Sequence, residues 1–217
     1  MEVDAPKKLP RVRRYEPSRP GSSSWPRKPV RPDSATIPPQ FLEEVGMLYF
    51  AYGSNMDWNQ MRSRCPSARF FCIAMLPHHQ LAFTRKSKTR NCGVADVVPQ
   101  QGKSVWGVVY EIADVDVGRL DFCEGYSPGR GENAYWRREC LVFKDGNPRE
   151  PLTVWTYFAA KEPNPPLPSS KYKEQIIRGA RFWHLPEEYI RELEQIKVSV
   201  NPGHRPAPDP KDFQRRC

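Results

Sequence analysis

Residues 49–55 read Tyr-Phe-Ala-Tyr-Gly-Ser-Asn, and the interpretation of the whole chain starts from this stretch. Its aromatic first half is typical of a β-strand, whereas the Gly-Ser-Asn end is typical of a turn. Glycine allows backbone geometry that is closed to other residues, and Ser54 or Asn55 is a preferred helix N-cap. We therefore predict a strand that leads through a glycine turn into a helix over 56–64.

The turn after this strand is also a candidate binding site. Where a strand, a glycine turn and a helix start follow one another, main-chain N–H groups converge on one point, and the helix dipole adds positive potential there. A carboxylate or a developing oxyanion would be stabilised at that point. The alternative is a turn that only connects two elements, which is the commoner case. The candidate residues are Phe50, Ala51, Tyr52, Gly53, Ser54 and Asn55.

Glu124 is the candidate catalytic residue. It follows an amphipathic stretch over 114–123 that favours a helix, and Gly125 is a typical left-handed stop after a helix. Because the C-terminus of a helix carries partial negative charge, we expect this carboxyl to bind a proton more readily than a free glutamate does. A glutamate with that property suits a general base, and a solvated surface glutamate is the alternative.

The order and spacing of these motifs resemble the γ-glutamylcyclotransferase family. One motif is the strand and turn of residues 50–55, and the other is Leu-Asp-x-x-Glu-Gly over 120–125. The resemblance covers residues 47 to about 197 and includes Val-Trp-Gly-Val-Val-Tyr at 105–110 and Tyr-Lys-x-x-Ile-Ile at 172–177. For the fold, it implies an α+β protein in which a small curved mixed β-barrel is flanked by helices.

For function, the resemblance implies an enzyme that releases 5-oxoproline and a free amine or amino acid from a small γ-glutamyl molecule, with no cofactor and no metal. In that reaction Glu124 takes a proton from the substrate α-amine and later returns it to the leaving nitrogen, while the amides of residues 52–55 hold the substrate. Tyr157 matches a family position that contacts substrate, and Tyr135 matches one near the mouth of the site. Core packing is the alternative role for a tyrosine in a strand.

A second function stays open beside catalysis. The same fold could serve as a non-catalytic module that binds a small ligand or a protein, with the tails making further contacts. Glu124 and the glycine turn together favour the enzyme. These motifs do not identify the amine that is released. General glutathione turnover and a biosynthetic step on a γ-glutamylated specialised metabolite are therefore both compatible with the sequence. The turn-forming residues of 126–133 indicate a mobile loop beside Glu124. In this loop Arg130 could pair with a substrate carboxylate, or it could be solvated at the surface.

The cysteines and histidines offer alternatives that we do not favour. Cys123 adjoins the candidate base, but a cysteine nucleophile needs a nearby histidine, so core packing is the preferred interpretation. His78 and His79 are adjacent and would point to opposite faces of a strand, which argues against a chelating pair. The six cysteines lack Cys-x-x-Cys spacing, so we expect reduced, mostly buried thiols and a cytoplasmic location.

Composition divides the chain into one domain and two tails. We predict a disordered, basic, proline-rich tail over 1–45, the γ-glutamylcyclotransferase-like domain over 46–197 and a flexible C-terminal tail over 198–217. The formal net charge is +9, and most of the excess lies in the tails, so we expect no specific nucleic-acid partner. No apolar run approaches the roughly 20 residues that cross a bilayer, so no membrane partner is expected. A homodimer is compatible with the sequence.

The hydrophobic pattern predicts short strands and four helices. The strands are placed at 47–52, 69–75, 79–85, 94–98, 105–111, 135–143 and 152–158, and the helices at 56–64, 114–123, 172–182 and 187–196. The proline-rich stretch 162–170 predicts a lid-like loop beside the pocket.

Overall fold

The structure is a computed structural model, and it describes residues 45–199. The predicted tails lie almost entirely outside the described residues. Within them, the strands are β1 (Val45–Ala51), β2 (Arg69–Ser87), β3 (Cys92–Ala113), β4 (Tyr135–Lys144) and β5 (Pro151–Ala159), and the α-helices are α1 (Trp58–Arg64), α2 (Asp114–Glu124), α3 (Ser170–Phe182) and α4 (Glu187–Glu194). None of the helices in this range is long and apolar enough to span a membrane.

The five strands close into a barrel in the order β1-β3-β2-β4-β5. Most neighbouring strands are antiparallel, whereas β1 and β5 run parallel with Tyr49 opposite Trp155. Closure removes exposed strand edges, and the parallel pair makes the sheet mixed. The predicted α+β fold, a small mixed β-barrel flanked by helices, is therefore confirmed.

Two long strands, β2 and β3, each unite two of the predicted short ones. In β2 the predicted break is a bulge, because the pairing register shifts between Pro77 and His79, and His78 has a left-handed φ of 55°. A bulge inserts a residue without ending the strand pairing. The strict alternation that we assumed for His78 and His79 therefore does not apply. No group of three or more His, Cys, Asp or Glu within 45–199 could hold a metal ion.

The core extends from the barrel onto α3 and the segment that follows β1. Trp183, just after α3, is fully buried and stacks on Phe70 with ring centroids 4.5 Å apart. Its ring N–H donates to the Met56 carbonyl at 2.9 Å, and the Tyr110 hydroxyl of β3 donates to the Asn55 carbonyl at 3.2 Å. These two buried aromatic residues fix the main chain of the turn after β1.

The helix start after β1 differs from the prediction. Ser54–Met56 form a short 3₁₀ helix, and α1 begins only after Asp57, whose side chain accepts a hydrogen bond from the Gln60 N–H at 3.0 Å. The prediction that Ser54 or Asn55 is the N-cap was wrong, because Asp57 takes that place. The side chains of Ser54 and Asn55 are consequently available for other contacts.

The five cysteines in the described range form no disulfide. Cys65, Cys72 and Cys92 are buried, and burial raises the pKa of the Cys65 and Cys140 thiols to about 12. These four agree with the prediction of reduced, mostly buried thiols. The prediction of core packing for Cys123 was wrong, because the last turn of α2 leaves this side chain exposed.

Candidate active site

A narrow cleft lies between the turn after β1 and the C-terminal end of α2. Its volume is about 30 Å³, room for about two or three water molecules. The cleft is lined by Tyr49, Tyr52, Gly53, Ser54, Asn55, Ala95, Glu124, Tyr135, Tyr157 and Tyr172. The glutamate that we predicted as the base and the turn that we predicted as the anion cradle therefore share one cleft.

Glu124 is held from one side by two donors. Arg64 Nη1 lies 2.7 Å and Asn55 Nδ2 lies 2.9 Å from the same atom, Glu124 Oε1. Gly125 has a φ of 64° and ends α2 as expected, which turns the chain away after the glutamate. Both contacts fix the orientation of the carboxylate. No described residue donates to Glu124 Oε2, which leaves that oxygen available to a substrate.

Asn55 is the centre of the hydrogen-bond network behind the cleft. Besides the glutamate, its Nδ2 donates to the Tyr49 hydroxyl at 2.8 Å. Its Oδ1 accepts from Arg64 Nη1 at 2.9 Å and from Gln60 Nε2 at 2.8 Å. Gln60 Nε2 also donates to Ser54 Oγ at 2.9 Å. Because both ends of the buried Asn55 amide are occupied, its orientation is fixed.

Gly53, Ser54 and Asn55 line the other side of the cleft. Among the described residues, none accepts a hydrogen bond from their three main-chain N–H groups. The next N–H along the chain, that of Met56, is satisfied by the Gly53 carbonyl at 3.0 Å. Free N–H groups at the start of a helical turn are suitable donors for an anion.

Close packing against Ala95 and Tyr172 leaves little room for a side chain at Gly53. Its φ is −116°, so the left-handed region is not used. A Cβ at this position would lie 3.0 Å from the Ala95 Cβ and 3.7 Å from the Tyr172 hydroxyl, and all three residues line the cleft. Any side chain here would therefore press on β3 and narrow the cleft.

Five tyrosines surround the cleft, and burial raises the pKa of each of their hydroxyls: Tyr49, Tyr52, Tyr135, Tyr157 and Tyr172. They consequently stay neutral near pH 7. The Tyr157 hydroxyl donates to Asp121 Oδ1 at 2.7 Å, and Asp121 Oδ2 lies 3.0 Å from Arg137 Nη1. The Tyr135 hydroxyl donates to the Ala95 carbonyl at 2.7 Å. These contacts hold the rings in place against the cleft.

Three candidates from the sequence do not line the cleft. Phe50 and Ala51 are fully buried, because they belong to the paired part of β1 inside the barrel. The Phe50 carbonyl accepts a hydrogen bond from Thr156 Oγ1 at 2.8 Å. We therefore correct the set of candidate binding residues by removing both. Arg130 is exposed and borders a neighbouring cavity.

Sequence reasoning missed the polar residues that support the cleft. Gln60 and Arg64 are four residues apart on α1, a spacing that places both on one helix face, and this was the signal available for them. Tyr172 begins the Tyr-Lys-x-x-Ile-Ile motif and was not considered a site residue. Its hydroxyl accepts a hydrogen bond from the Ala95 N–H at 3.1 Å.

Comparison with known proteins identifies the family. The profile of the family described as "Gamma-glutamyl cyclotransferase, AIG2-like" matches residues 49–178, which is more than half of the chain. The chain belongs to the γ-glutamylcyclotransferase family. The γ-glutamylcyclotransferase of Homo sapiens is 34% identical over 165 residues, covering 74% of this chain and 84% of the human protein. That of Mus musculus is 34% identical over 161 residues, covering 72% and 81%.

Solved structures agree with this family. A structure of a γ-glutamyl cyclotransferase is 31% identical, has a TM-score of 0.65, and covers 79% of this chain and 99% of its own. YkqA from Bacillus subtilis, at 22% identity and a TM-score of 0.55 over 70% of this chain and 56% of its own, shares the fold. The predicted family and the predicted type of enzyme are confirmed.

Proposed function

We propose that this γ-glutamylcyclotransferase releases 5-oxoproline and a free amine from a small γ-glutamyl compound, with Glu124 as the base and then the acid. The observation that supports this most directly is the 2.9 Å hydrogen bond from Asn55 Nδ2 to Glu124 Oε1. It joins the carboxylate to the turn whose residues line the same cleft. A proton acceptor and a set of anion donors are thus adjacent, as ring closure requires.

The first step is removal of a proton from the substrate. The α-amine of a γ-glutamyl group is largely protonated near pH 7, so it cannot attack until a base accepts a proton. Glu124 Oε2 is suited to this task because Oε1 is already engaged by Arg64 and Asn55. Those two donors fix the orientation of the carboxylate.

The second step is ring closure. The freed nitrogen attacks the γ-carbonyl carbon of the same molecule, so the protein needs only to hold the glutamyl chain curled with the two atoms about 3 Å apart. Negative charge then develops on the former carbonyl oxygen, and the N–H groups of residues 53–55 are available to stabilise it.

The last step releases the amine. Glu124, now protonated, delivers this proton to the leaving nitrogen as the bond between carbon and nitrogen breaks, and the regenerated carboxylate then takes the second proton from the ring nitrogen and passes it to the released amine. Over the cycle, two protons pass from the α-ammonium nitrogen to the leaving amine, so the reaction consumes no water. The buried neutral tyrosines, including Tyr135 and Tyr157, surround the substrate without competing for the proton. They are proposed as binding residues only.

The test is a panel of γ-glutamyl amino acids, glutathione and γ-glutamyl amines incubated with the full chain, with 5-oxoproline and the free amine measured by mass spectrometry. The matched controls are the α-glutamyl isomers, whose α-amine cannot close a five-membered ring at the scissile carbonyl. We expect both products in equal amounts from γ-glutamyl compounds and neither from the isomers. No 5-oxoproline from any member would instead favour the non-catalytic binding module.

A further inference from the structure

A larger groove continues from the active-site cleft. Its volume is about 420 Å³, and it shares Ser54, Glu124, Tyr135 and Tyr172 with the cleft. Because the groove adjoins the cleft, it offers space for the portion of a substrate beyond the scissile bond. The residues that line the groove are therefore the candidates for contact with the amine portion of the substrate.

The groove is strongly basic. Five cationic side chains line it against two carboxylates: Arg64, Arg85, Lys86, Lys88 and Arg90 against Glu124 and Glu162. Arg64 pairs with Glu124 at 2.7 Å, and Arg85 pairs with Glu162 at 3.3 Å. Within the described residues, no carboxylate pairs with the remaining three cations. The unpaired positive charge is thus concentrated beside the position of the leaving amine.

Arg90 differs from the two lysines because it is held in place. It lies in the turn between β2 and β3, where its Nη1 donates to Gln175 Oε1 at 3.0 Å and its Nη2 donates to Gln60 Oε1 at 2.8 Å. The guanidinium carbon also lies 4.8 Å from the centroid of the Tyr172 ring. All three partners are neutral. The side chain is therefore oriented in advance while its charge stays available to an anion.

We propose that this groove selects γ-glutamyl compounds whose amine portion is acidic, with Arg90 as the specificity-determining residue and Lys86 and Lys88 as flanking cations. This inference rests on the proposed function. The recognised groups are carboxylates on the amine portion, such as those of γ-glutamyl-glutamate. Each negative charge on the amine portion adds attraction in the groove, so kcat/KM rises with that charge.

The test uses three matched substrates: γ-glutamyl-glutamate, γ-glutamyl-glutamine and γ-glutamyl-glutamine amide. They have almost the same shape and differ by one negative charge at each step. We expect kcat/KM to fall about fivefold at each step, and these ratios to shrink when the ionic strength rises from about 0.05 to about 0.5 M. Arg90→Gln should reduce both ratios to less than about twofold. Equal kcat/KM for all three substrates in the unmodified enzyme would overturn the proposal.

Two further variants separate charge recognition from structural effects. Lys88→Gln, at an exposed position with no side-chain partner in the described range, should also lower the kcat/KM ratios between the three substrates. This variant tests the proposal if Arg90→Gln fails to fold. Arg149→Gln, in the exposed turn between β4 and β5, removes one positive charge away from the groove and should leave the ratios unchanged. Ratios that persist in both Arg90→Gln and Lys88→Gln would contradict the assigned role.

Failure of this proposal is distinguishable from failure of the proposed function. Absence of 5-oxoproline from all three substrates would contradict the proposed reaction. In that case, the dissociation constants of the same three compounds, measured by calorimetry with the full chain, still test the groove. Tighter binding with each added negative charge would support it, and equal binding would overturn it.

Discussion

Arg64 Nη1 lies 2.7 Å from Glu124 Oε1, and this ion pair sets the position of the proposed base. The side chains are 22% and 15% exposed, so the pair is only partly screened by water. The same nitrogen donates to Asn55 Oδ1 at 2.9 Å. One cation therefore aligns the carboxylate of α2 with the amide that belongs to the anion-binding turn.

Loss of Arg64 should slow the reaction more than it weakens binding. In Arg64→Met the carboxylate loses its charged donor and Asn55 loses one of two donors to its oxygen, so we expect kcat to fall about 10²-fold and KM to change by less than about threefold. Arg64→Lys keeps the charge without the planar fork and should be intermediate. Initial rates of 5-oxoproline release at varied substrate concentration give both constants.

The control for this prediction is on the same helix. Arg62 is exposed, and its guanidinium carbon lies 5.7 Å from the centroid of the Trp58 ring. Arg62→Met should therefore leave kcat close to that of the unmodified enzyme. An increase in KM with unchanged kcat in Arg64→Met would show that Arg64 binds substrate directly and does not position Glu124.

A methyl group at position 53 should obstruct the cleft. In Gly53→Ala the new Cβ would lie 3.0 Å from the Ala95 Cβ, closer than most real Cβ contacts, and would narrow the space beside Tyr172. We expect kcat/KM to fall about tenfold or more, as misplacement of the donors by a fraction of an ångström is costly. Steady-state kinetics measure the loss, and thermal unfolding shows whether the fold is kept.

Gly118 offers the matched control for that substitution. It lies in α2, is exposed, and a Cβ there would meet nothing within 4 Å. Gly118→Ala should raise the free energy of unfolding by about 0.5–1 kcal/mol, since alanine is the better helix former, and should leave kcat/KM unchanged. Similar kinetic losses in both variants would mean that the cleft is not what Gly53→Ala affects.

Buried tyrosines should limit stability in alkali. Burial raises the pKa of seven tyrosine hydroxyls above the ordinary value: Tyr49, Tyr52, Tyr110, Tyr135, Tyr157, Tyr172 and Tyr189. The folded state therefore holds these protons more tightly than the unfolded state does. Their stabilising effect is complete below the unfolded pKa of about 10 and is lost progressively as the pH rises above it.

Denaturant unfolding at a series of pH values tests this expectation. The free energy of unfolding should decrease steeply with pH above about pH 10, and tyrosinate absorbance should increase together with loss of structure. Independent titration of most tyrosines near pH 10 in the folded protein would contradict the burial of these hydroxyls.

Much of the fold could be predicted from local sequence. The β1 strand, the four helices and the glycine stop after Glu124 follow from periodicity, aromatic content and a left-handed glycine, all of which act over a few residues. The union of short strands into β2 and β3 could not be predicted in this way. The residues around His78 are typical both of a β-bulge and of a break between two strands. Only the pairing with the neighbouring strand distinguishes the two.

The site was predicted less completely, for a similar reason. Glu124 and Gly53–Asn55 could be proposed from the sequence because each belongs to a recognisable local motif, and the structure places them at one cleft. The spacing of Arg64 from Gln60 places both on one helix face but does not show that Arg64 contacts Glu124, and Arg90 became visible only in three dimensions, since its contacts join the β2–β3 turn to α1 and α3. Phe50 and Ala51 were wrongly included, because proximity in sequence to a binding turn does not place a side chain in the cleft.

The most direct test of the central claim is turnover by Glu124→Gln. This variant keeps the shape of the side chain and removes the proton acceptor, so kcat for 5-oxoproline release should fall by at least about 10³-fold while the substrate dissociation constant, measured by calorimetry, changes only a few-fold. Glu174→Gln, an exposed change on α3, should leave both unchanged. Turnover by Glu124→Gln at the rate of the unmodified enzyme would contradict the assignment of Glu124 as the base.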